Sequence, residues 1–214
     1  RPRSYGPWTH AANRGNPSNP SISFPLRKRR GIPECCRNPK GLCWLETQAL
    51  EFPVAVLSAF RIMATEQPQK TALTAAMIAH LVLKPGAHST ESGKASLGMR
   101  VMEHLIHMFG QDVDAHYWRN ARLVLHVFVA LAPLGVVSSA SLRRTIKAFV
   151  DVLSSDGVSR DVADPAADCV IEAMCRGGTD LIQPEPGALE ALPSAREEMD
   201  AIVDGITLYG SQRS

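Results

Sequence analysis

Apolar residues recur every three or four positions through residues 46–214, and this spacing constrains the fold more than any other feature of the chain. Residues at i, i+3, i+4 and i+7 share one face of an α-helix, so the spacing predicts amphipathic helices rather than strands. The clearest stretch is 93–111, where one polar stripe is formed by Arg100, Glu103, His104, His107 and Gln111. We predict a helix there with one solvated face and an otherwise buried surface.

Proline, glycine and capping residues divide residues 46–214 into seven predicted helices. The first six are expected at 53–67, 70–83, 93–111, 114–132, 139–153 and 164–177. Asp164 followed by Pro165 is typical of a helix start and is expected to open the sixth helix. Ser194 and Glu197 have the spacing of a capping box and are expected to open the seventh.

Seven helices with short connections predict an all-α fold, a HEAT-like α-solenoid of antiparallel helix hairpins. Three pairs of about 40 residues each fit the length of HEAT-like units, and one helix is left unpaired. Stacked pairs need a cap or a further repeat over their apolar ends. We therefore expect the helical-repeat scaffold domain, residues 46–214, to be truncated on its C-terminal side.

Residues 1–45 differ sharply in charge from the rest of the chain. They hold nine Lys/Arg and one acidic residue, whereas residues 46–214 hold fourteen Lys/Arg and twenty Asp/Glu. This segment lacks periodicity and is rich in Pro, Gly, Asn and Ser, so we interpret it as a disordered basic arm or as a gene-model artefact. Any direct attraction for nucleic acid is expected in the arm, because the remainder is acidic.

Two groups of basic residues are candidate interaction sites. Arg27, Lys28, Arg29 and Arg30 form a dense cluster that is typical of a nuclear-import or polyanion-binding patch, or arises by chance in a biased segment. Arg143, Arg144 and Lys147 are expected on the polar side of the fifth helix. They form either a docking face for an acidic partner or an ordinary solvated face.

Few residues of the sequence are candidates for catalysis or metal binding. His104 and His107, with Glu103 beside them, could contribute to a metal site, although a solvated face explains them more simply. No nucleophile motif or phosphate-binding loop is present in the sequence, so we predict neither catalysis nor a cofactor. Cys169 and Cys175 are expected to be buried as small apolar residues. The odd count of five cysteines favours a reducing, intracellular environment.

Three aromatic residues and one long apolar run bear on the core and on membrane association. Tyr117, Trp118 and Phe128 are predicted to lie in the core of the central hairpin. The run from Leu123 to Val137 is shorter than the ~20 residues of a membrane span and contains His126. We therefore predict no membrane segment.

Three segments of the chain resemble a known family. They are LSAFRIMATEQPQKTALTAAMIAHL (57–81), NARLVLHVFVALAPLGVVSSASLRRTIKAFVDVL (120–153) and REEMDAIVDGITLYGSQRS (196–214). In order and pattern these segments are similar to the opening hairpin, the long central helix with its successor, and the closing helix of one particular domain. That domain is the first helical-repeat domain of the large subunit of the nuclear mRNA cap-binding complex, of the same type as the middle domain of initiation factor four-gamma.

The resemblance implies a non-catalytic scaffold in the nucleus, with possible shuttling to the cytoplasm. In that family a small subunit with an RNA-recognition motif binds the methylguanosine cap and is held mainly by two later domains, which this sequence lacks. The implied partners are that small subunit, capped RNA indirectly, and proteins of mRNA processing, export and decay. Two alternatives are another HEAT-like adaptor of translation or mRNA decay, and a metal-dependent enzyme that uses His104 and His107.

Overall fold

A computed structural model describes residues 44, 47–48, 51–83, 96–155, 157–182 and 192–213. Within these ranges the protein is all-helical, and no residue is in a β-strand. The seven α-helices of the described ranges are α1 (Pro53–Glu66), α2 (Thr71–Leu83), α3 (Leu97–Asp114), α4 (Trp118–Leu131), α5 (Ser139–Leu153), α6 (Arg160–Gly177) and α7 (Leu192–Ser211). Short 3-10 helices at Pro68–Lys70 and Gly178–Leu181 follow α1 and α6. The sequence-based prediction of an all-α fold is confirmed for this part of the chain.

Serine side chains cap two of the helices. The Ser96 hydroxyl accepts a hydrogen bond from the backbone N–H of Met99 at 3.3 Å, which begins α3. The Ser138 hydroxyl accepts one from the backbone N–H of Ser141 at 3.0 Å, which begins α5. Each bond satisfies a backbone donor that has no partner within the first helical turn.

The predicted start of the fourth helix at Asp114 is wrong, because Asp114 ends α3. The backbone N–H of Tyr117 donates to the carbonyl of Asp112 at 2.7 Å, and the N–H of His116 donates to that of Val113 at 3.1 Å. These two bonds, with His116 at a φ of 60°, form a Schellman ending. Glycine usually occupies that position, so the sequence does not reveal the break.

The predicted starts of the last two helices are also wrong. α6 begins at Arg160 and contains Pro165. Proline so near the start removes a single helical hydrogen bond, and burial of Ala163 stabilises the preceding turn. α7 begins at Leu192, so Ser194 lies inside it rather than capping it. Pro193 is compatible with this because a first-turn N–H has no helical partner.

The helices pack in a regular order. Contacts join α2 to α4 and α4 to α6, and also join α1 to α3 and α5 to α7. Contacts between neighbours in the chain join α1 to α2, α2 to α3, α3 to α4, and α5 to α6. Helix α4 is central, since it touches α1, α2, α3 and α6 and buries nine side chains. A helix that is apolar almost all round its surface is packed on several sides in this way.

A single apolar core runs through these seven helices. The apolar stripe of α5 is buried throughout: Leu142, Ile146, Phe149, Val150 and Leu153. Edge-to-face and tilted ring contacts connect Phe109 of α3 to Phe128 and Phe149, with centroids 5.7 and 6.0 Å apart. Such pairs add to the stabilisation that burial alone gives.

Several apolar residues expected in the core are exposed instead. Tyr117 is 64% exposed in the turn between α3 and α4, whereas Trp118 is half-buried and Phe128 is buried as predicted. Val54 and Ile106 are 75% and 57% exposed. In α1 the buried face is formed by Val56, Phe60 and Ala64, so Val54 points elsewhere. In α7, Val203 is exposed while Met199 and Ile202 are buried.

Candidate functional site

The predicted basic residues have different environments. Arg27, Lys28, Arg29 and Arg30 lie outside the described residues, as does nearly all of the 1–45 arm. Arg144 and Lys147 are exposed on α5, where a partner could reach them. Arg143 does not belong to this face, because it is buried with 7% of its surface exposed.

Arg143 makes internal contacts that explain its burial. Its Nε donates to Oε2 of Glu198 on α7 at 2.6 Å, and one terminal nitrogen donates to the carbonyl of Leu181 at 2.7 Å. A buried guanidinium requires such partners to offset the loss of hydration. Arg143 therefore links α5 to α7 and to the preceding 3-10 helix, and is structural in this position.

His104 and His107 lie on one side of α3, as expected from their spacing. His107 is exposed, and His104 is half-buried with its Nε2 enclosed and unpartnered. Burial is the main cause that lowers the pKa of His104, followed by the charges of Arg61 and His107. Within the described part of the chain no three His, Cys, Asp or Glu side chains lie close enough together to hold a metal. The structure therefore does not add a third ligand to the histidine pair.

The two cysteines within the described ranges differ in burial. Cys169 is buried on α6, as predicted, and burial raises the pKa of its thiol to about 12. Cys175 is exposed, contrary to the prediction. The thiol of Cys169 is therefore protonated and packs as a small apolar group.

A polar pocket lies between α1 and the first turn of α4, and sequence analysis did not anticipate it. Its volume is about 650 Å³. Helix α1 contributes Ser58, Arg61, Ile62, Thr65 and Glu66, and α4 contributes Arg119 and Asn120. The hydroxyl of Thr65 donates to the carbonyl of Arg61 at 3.0 Å and is therefore occupied within α1.

A buried acid lies next to this pocket. Asp112 is 6% exposed, and its Oδ2 has no hydrogen-bond partner among the described residues. Burial raises the pKa of Asp112, while the charge of Arg61 and the amide of Asn120 oppose part of that rise. Arg61, which lines the pocket, therefore acts electrostatically on both Asp112 and His104.

The pocket presents charges that are available to a ligand. Neither Arg61 nor Arg119 forms an ion pair with another described residue, and both are exposed. Each guanidinium can donate several hydrogen bonds in a fixed plane, a geometry suited to carboxylates and phosphates. Glu66 lies at the same pocket, and Ile62, 43% exposed, adds an apolar wall.

A second polar cluster lies within the α4–α6 interface. Glu172 of α6 accepts a hydrogen bond from Arg122 of α4 at 2.8 Å, and its other oxygen lies 2.9 Å from Nε2 of His126. His126 is 3% exposed, and its ring nitrogens are not aligned for a hydrogen bond. Burial is the main cause that lowers the pKa of His126, with Arg176 and Arg122 also lowering it and Glu172 opposing them.

Part of the cluster at the α4–α6 interface could have been found from the sequence. His126 interrupts the apolar stretch of α4 one helical turn after Arg122, a spacing that places both on one face and suggests a shared acidic partner. The pocket between α1 and α4 could not have been predicted from the sequence in this way. Its arginines are 58 positions apart in the chain and meet only through the packing of α1 on α4.

Comparisons of the chain with protein-family models, curated proteins and solved structures give no match. None of the helices in the described ranges combines the length and apolar composition needed to cross a membrane.

Proposed function

We propose that this chain is a non-catalytic scaffold domain of the type found in the large subunit of the nuclear cap-binding complex. In this proposal it is an α-solenoid of antiparallel helix hairpins. It supports the binding of capped RNA by a small subunit with an RNA-recognition motif, and it serves mRNA processing, export and decay in the nucleus.

The observation that carries the proposal is the order of helix packing. Helices α2, α4 and α6 contact one another in succession, while α1 contacts α3, and α5 contacts α7. Within each proposed hairpin, α1 contacts α2, α3 contacts α4, and α5 contacts α6. Two layers built in this way are typical of stacked helical repeats, in which each hairpin packs on the next.

The segments that resemble the family fall on defined structural units. Residues 57–81 cover most of α1 and α2, and residues 120–153 cover α4, the following turn and α5. Residues 196–213 cover most of α7 and the turn after it. The resemblance therefore spans most of each helix that it covers and the connections between those helices, which supports a shared architecture.

The first experiment asks whether the natural protein that carries this chain joins a cap-binding complex. We would express it with and without a small cap-binding subunit and apply both samples to a 7-methylguanosine resin. The proposal expects retention only when the small subunit is present, and elution by free cap analogue. Failure of the two proteins to co-purify would contradict it.

The second experiment tests the exposed basic face of α5. Lys147→Glu reverses an exposed charge beside Arg144, and Lys70→Glu is the matched control at an exposed site between α1 and α2. We expect Lys147→Glu to reduce recovery of processing or export factors, as measured by quantitative mass spectrometry, without changing retention on the cap resin. Recovery of translation or decay factors alone would favour the alternative of a different HEAT-like adaptor.

A further inference from the structure

We propose that the pocket between α1 and α4 binds an acidic peptide segment of a partner protein, with one carboxylate held between Arg61 and Arg119. The inference does not depend on membership of a cap-binding complex. It rests on three features of the pocket: two guanidinium groups without ion-pair partners among the described residues, an adjacent apolar strip, and the charge of the surrounding protein.

The two arginines provide the specific contact. Both line the same pocket of about 650 Å³, and neither is paired with a described carboxylate. Arg61 comes from the middle of α1 and Arg119 from the first turn of α4, so a bound carboxylate would bridge the two helices. Planar guanidinium groups bind carboxylates through charge-assisted hydrogen bonds.

A strip along α1 carries two exposed apolar side chains, Val54 and Ile62, with Ser58 between them; Ser58 and Ile62 line the pocket, and Val54 does not. Val54, Ser58 and Ile62 are spaced by four residues and therefore follow one line on the helix surface. Val54 is 75% exposed and Ile62 is 43% exposed. A ligand that covers this strip needs an apolar side chain close to its carboxylate. A short peptide meets that requirement, whereas an isolated anion does not.

The surrounding charge favours a peptide carboxylate over the phosphates of a nucleic acid. Glu66 lines the pocket together with the two arginines, which leaves a single excess positive charge in its lining. Residues 46–214 carry twenty acidic and fourteen basic residues. A long polyanion would be repelled by this background, because affinity for nucleic acid requires many clustered cations. One or two carboxylates beside an apolar residue match the pocket better.

The probe is a fluorescein-labelled octapeptide that holds one aspartate between two leucines in an otherwise serine sequence, and the control ligand is the same peptide with asparagine in place of aspartate. Binding to the full 214-residue chain is measured by fluorescence anisotropy. The variants are Arg119→Gln and Arg61→Gln. Arg196→Gln is the matched control, because it removes an exposed guanidinium from α7, far along the chain from the pocket.

We expect saturable binding of the aspartate peptide and clearly weaker binding of the asparagine peptide. Loss of either pocket arginine should raise Kd by roughly five- to tenfold, the effect of one charge-assisted bond in a partly exposed site. Arg196→Gln should leave Kd unchanged. Circular dichroism verifies folding, and Arg119→Gln alone is sufficient if Arg61→Gln perturbs the structure.

Two results would overturn the proposal. One is the absence of saturable binding, or an equal Kd for the parent chain, Arg119→Gln and Arg196→Gln. The other is tighter binding of a single-stranded oligouridylate that also depends on Arg119, which would assign the pocket to phosphate. Either result leaves the cap-resin experiment unaffected, so failure of this inference is distinguishable from failure of the proposed scaffold function.

Discussion

The Nε of Arg143 lies 2.6 Å from Oε2 of Glu198, so that a buried cation on α5 is neutralised by a carboxylate on α7. The Glu198 side chain is 39% exposed, whereas that of Arg143 is 8% exposed. The ion pair is therefore asymmetric, with one partner enclosed and the other at the surface. Arg143 also donates a hydrogen bond to the carbonyl of Leu181, so α5, α7 and the 3-10 helix Gly178–Leu181 meet at one side chain.

Removing this buried cation should destabilise the fold. Arg143→Met retains most of the apolar volume but leaves the carbonyl of Leu181 without its donor and Glu198 without its counter-charge. We expect a loss of roughly 2–3 kcal/mol in the free energy of unfolding, measured by urea denaturation. Arg144→Met, at the adjacent exposed position, should change it by less than about 0.5 kcal/mol. Equal effects of the two substitutions would contradict the assigned role of Arg143.

Alanine substitution should have opposite effects on stability at the two glycines of α3, Gly98 and Gly110. A Cβ on Gly98 would lie 2.6 Å from the backbone of Leu81 and Val82, so α3 and α2 approach too closely for any side chain there. Gly98→Ala should therefore cost roughly 1–3 kcal/mol. A Cβ on Gly110 would meet no other atom within 4 Å, and Gly110→Ala should stabilise the helix by about 0.5–1 kcal/mol.

Thermal melts of the two alanine variants and the parent chain provide the measurement. The pair is internally controlled, because both changes add one methyl group to the same helix. A rise in Tm for Gly98→Ala would show that α2 and α3 do not approach each other as described. A fall for Gly110→Ala would show that this side of α3 is covered.

The helical fold was largely predictable because it depends on local spacing. Leu142, Ile146 and Phe149 lie within two turns of one another, so their common face is evident from the sequence alone. The starts of helices were harder to predict where packing against other helices competed with a local helix-start pattern. Asp164 and Pro165 match the pattern of a helix start, but the burial of Ala163 extends α6 in the N-terminal direction. His116 ends α3 with a φ of 60°, a conformation that a histidine in the sequence does not indicate.

The candidate sites were less predictable because they depend on contacts between distant segments. Arg143 lies next to exposed Arg144 in the sequence, and only its reach to Glu198 and Leu181 explains why it is buried. The environment of Asp112 likewise depends on Arg61 and Asn120, which belong to other helices. Periodicity identifies which face of a helix is polar, but it does not identify the partner that the face meets.

Burial of His126 predicts that stability decreases in mild acid. Its folded-state pKa lies below the unperturbed 6.5, so the unfolded chain binds a proton that the folded chain does not. The free energy of unfolding should therefore fall as the pH drops below about 6.5, with a slope of at most about 1.4 kcal/mol per pH unit for this one group. The charged groups that act on His126 are Arg122 on its own helix, and Glu172 and Arg176 on α6.

The variant His126→Gln separates this effect from general acid sensitivity. Urea denaturation between about pH 5 and 7.5 should give a shallower pH dependence for His126→Gln than for the parent chain. Gln111→Ala, an uncharged change at an exposed position on α3, should retain the parent slope. An unchanged slope in His126→Gln would mean that the pKa of His126 is the same in the folded and the unfolded chain, and would contradict the effect of burial.

Asp112 predicts the opposite dependence on pH. Burial raises its folded-state pKa above the unperturbed 3.8, so the folded chain holds a proton that the unfolded chain has released. This contribution to stability is present in acid and is lost as the pH rises through the folded-state pKa.

Asp112→Asn removes the buried charge and should stabilise the protein by about 1 kcal/mol at pH 7, with the gain vanishing below about pH 4. Asp114→Asn, an exposed change at the end of the same helix, should shift stability by less than about 0.5 kcal/mol. Loss of stability in Asp112→Asn at pH 7 would show that attraction to Arg61 outweighs the cost of burying the carboxylate, and that Arg61 is already neutralised before any ligand reaches the pocket.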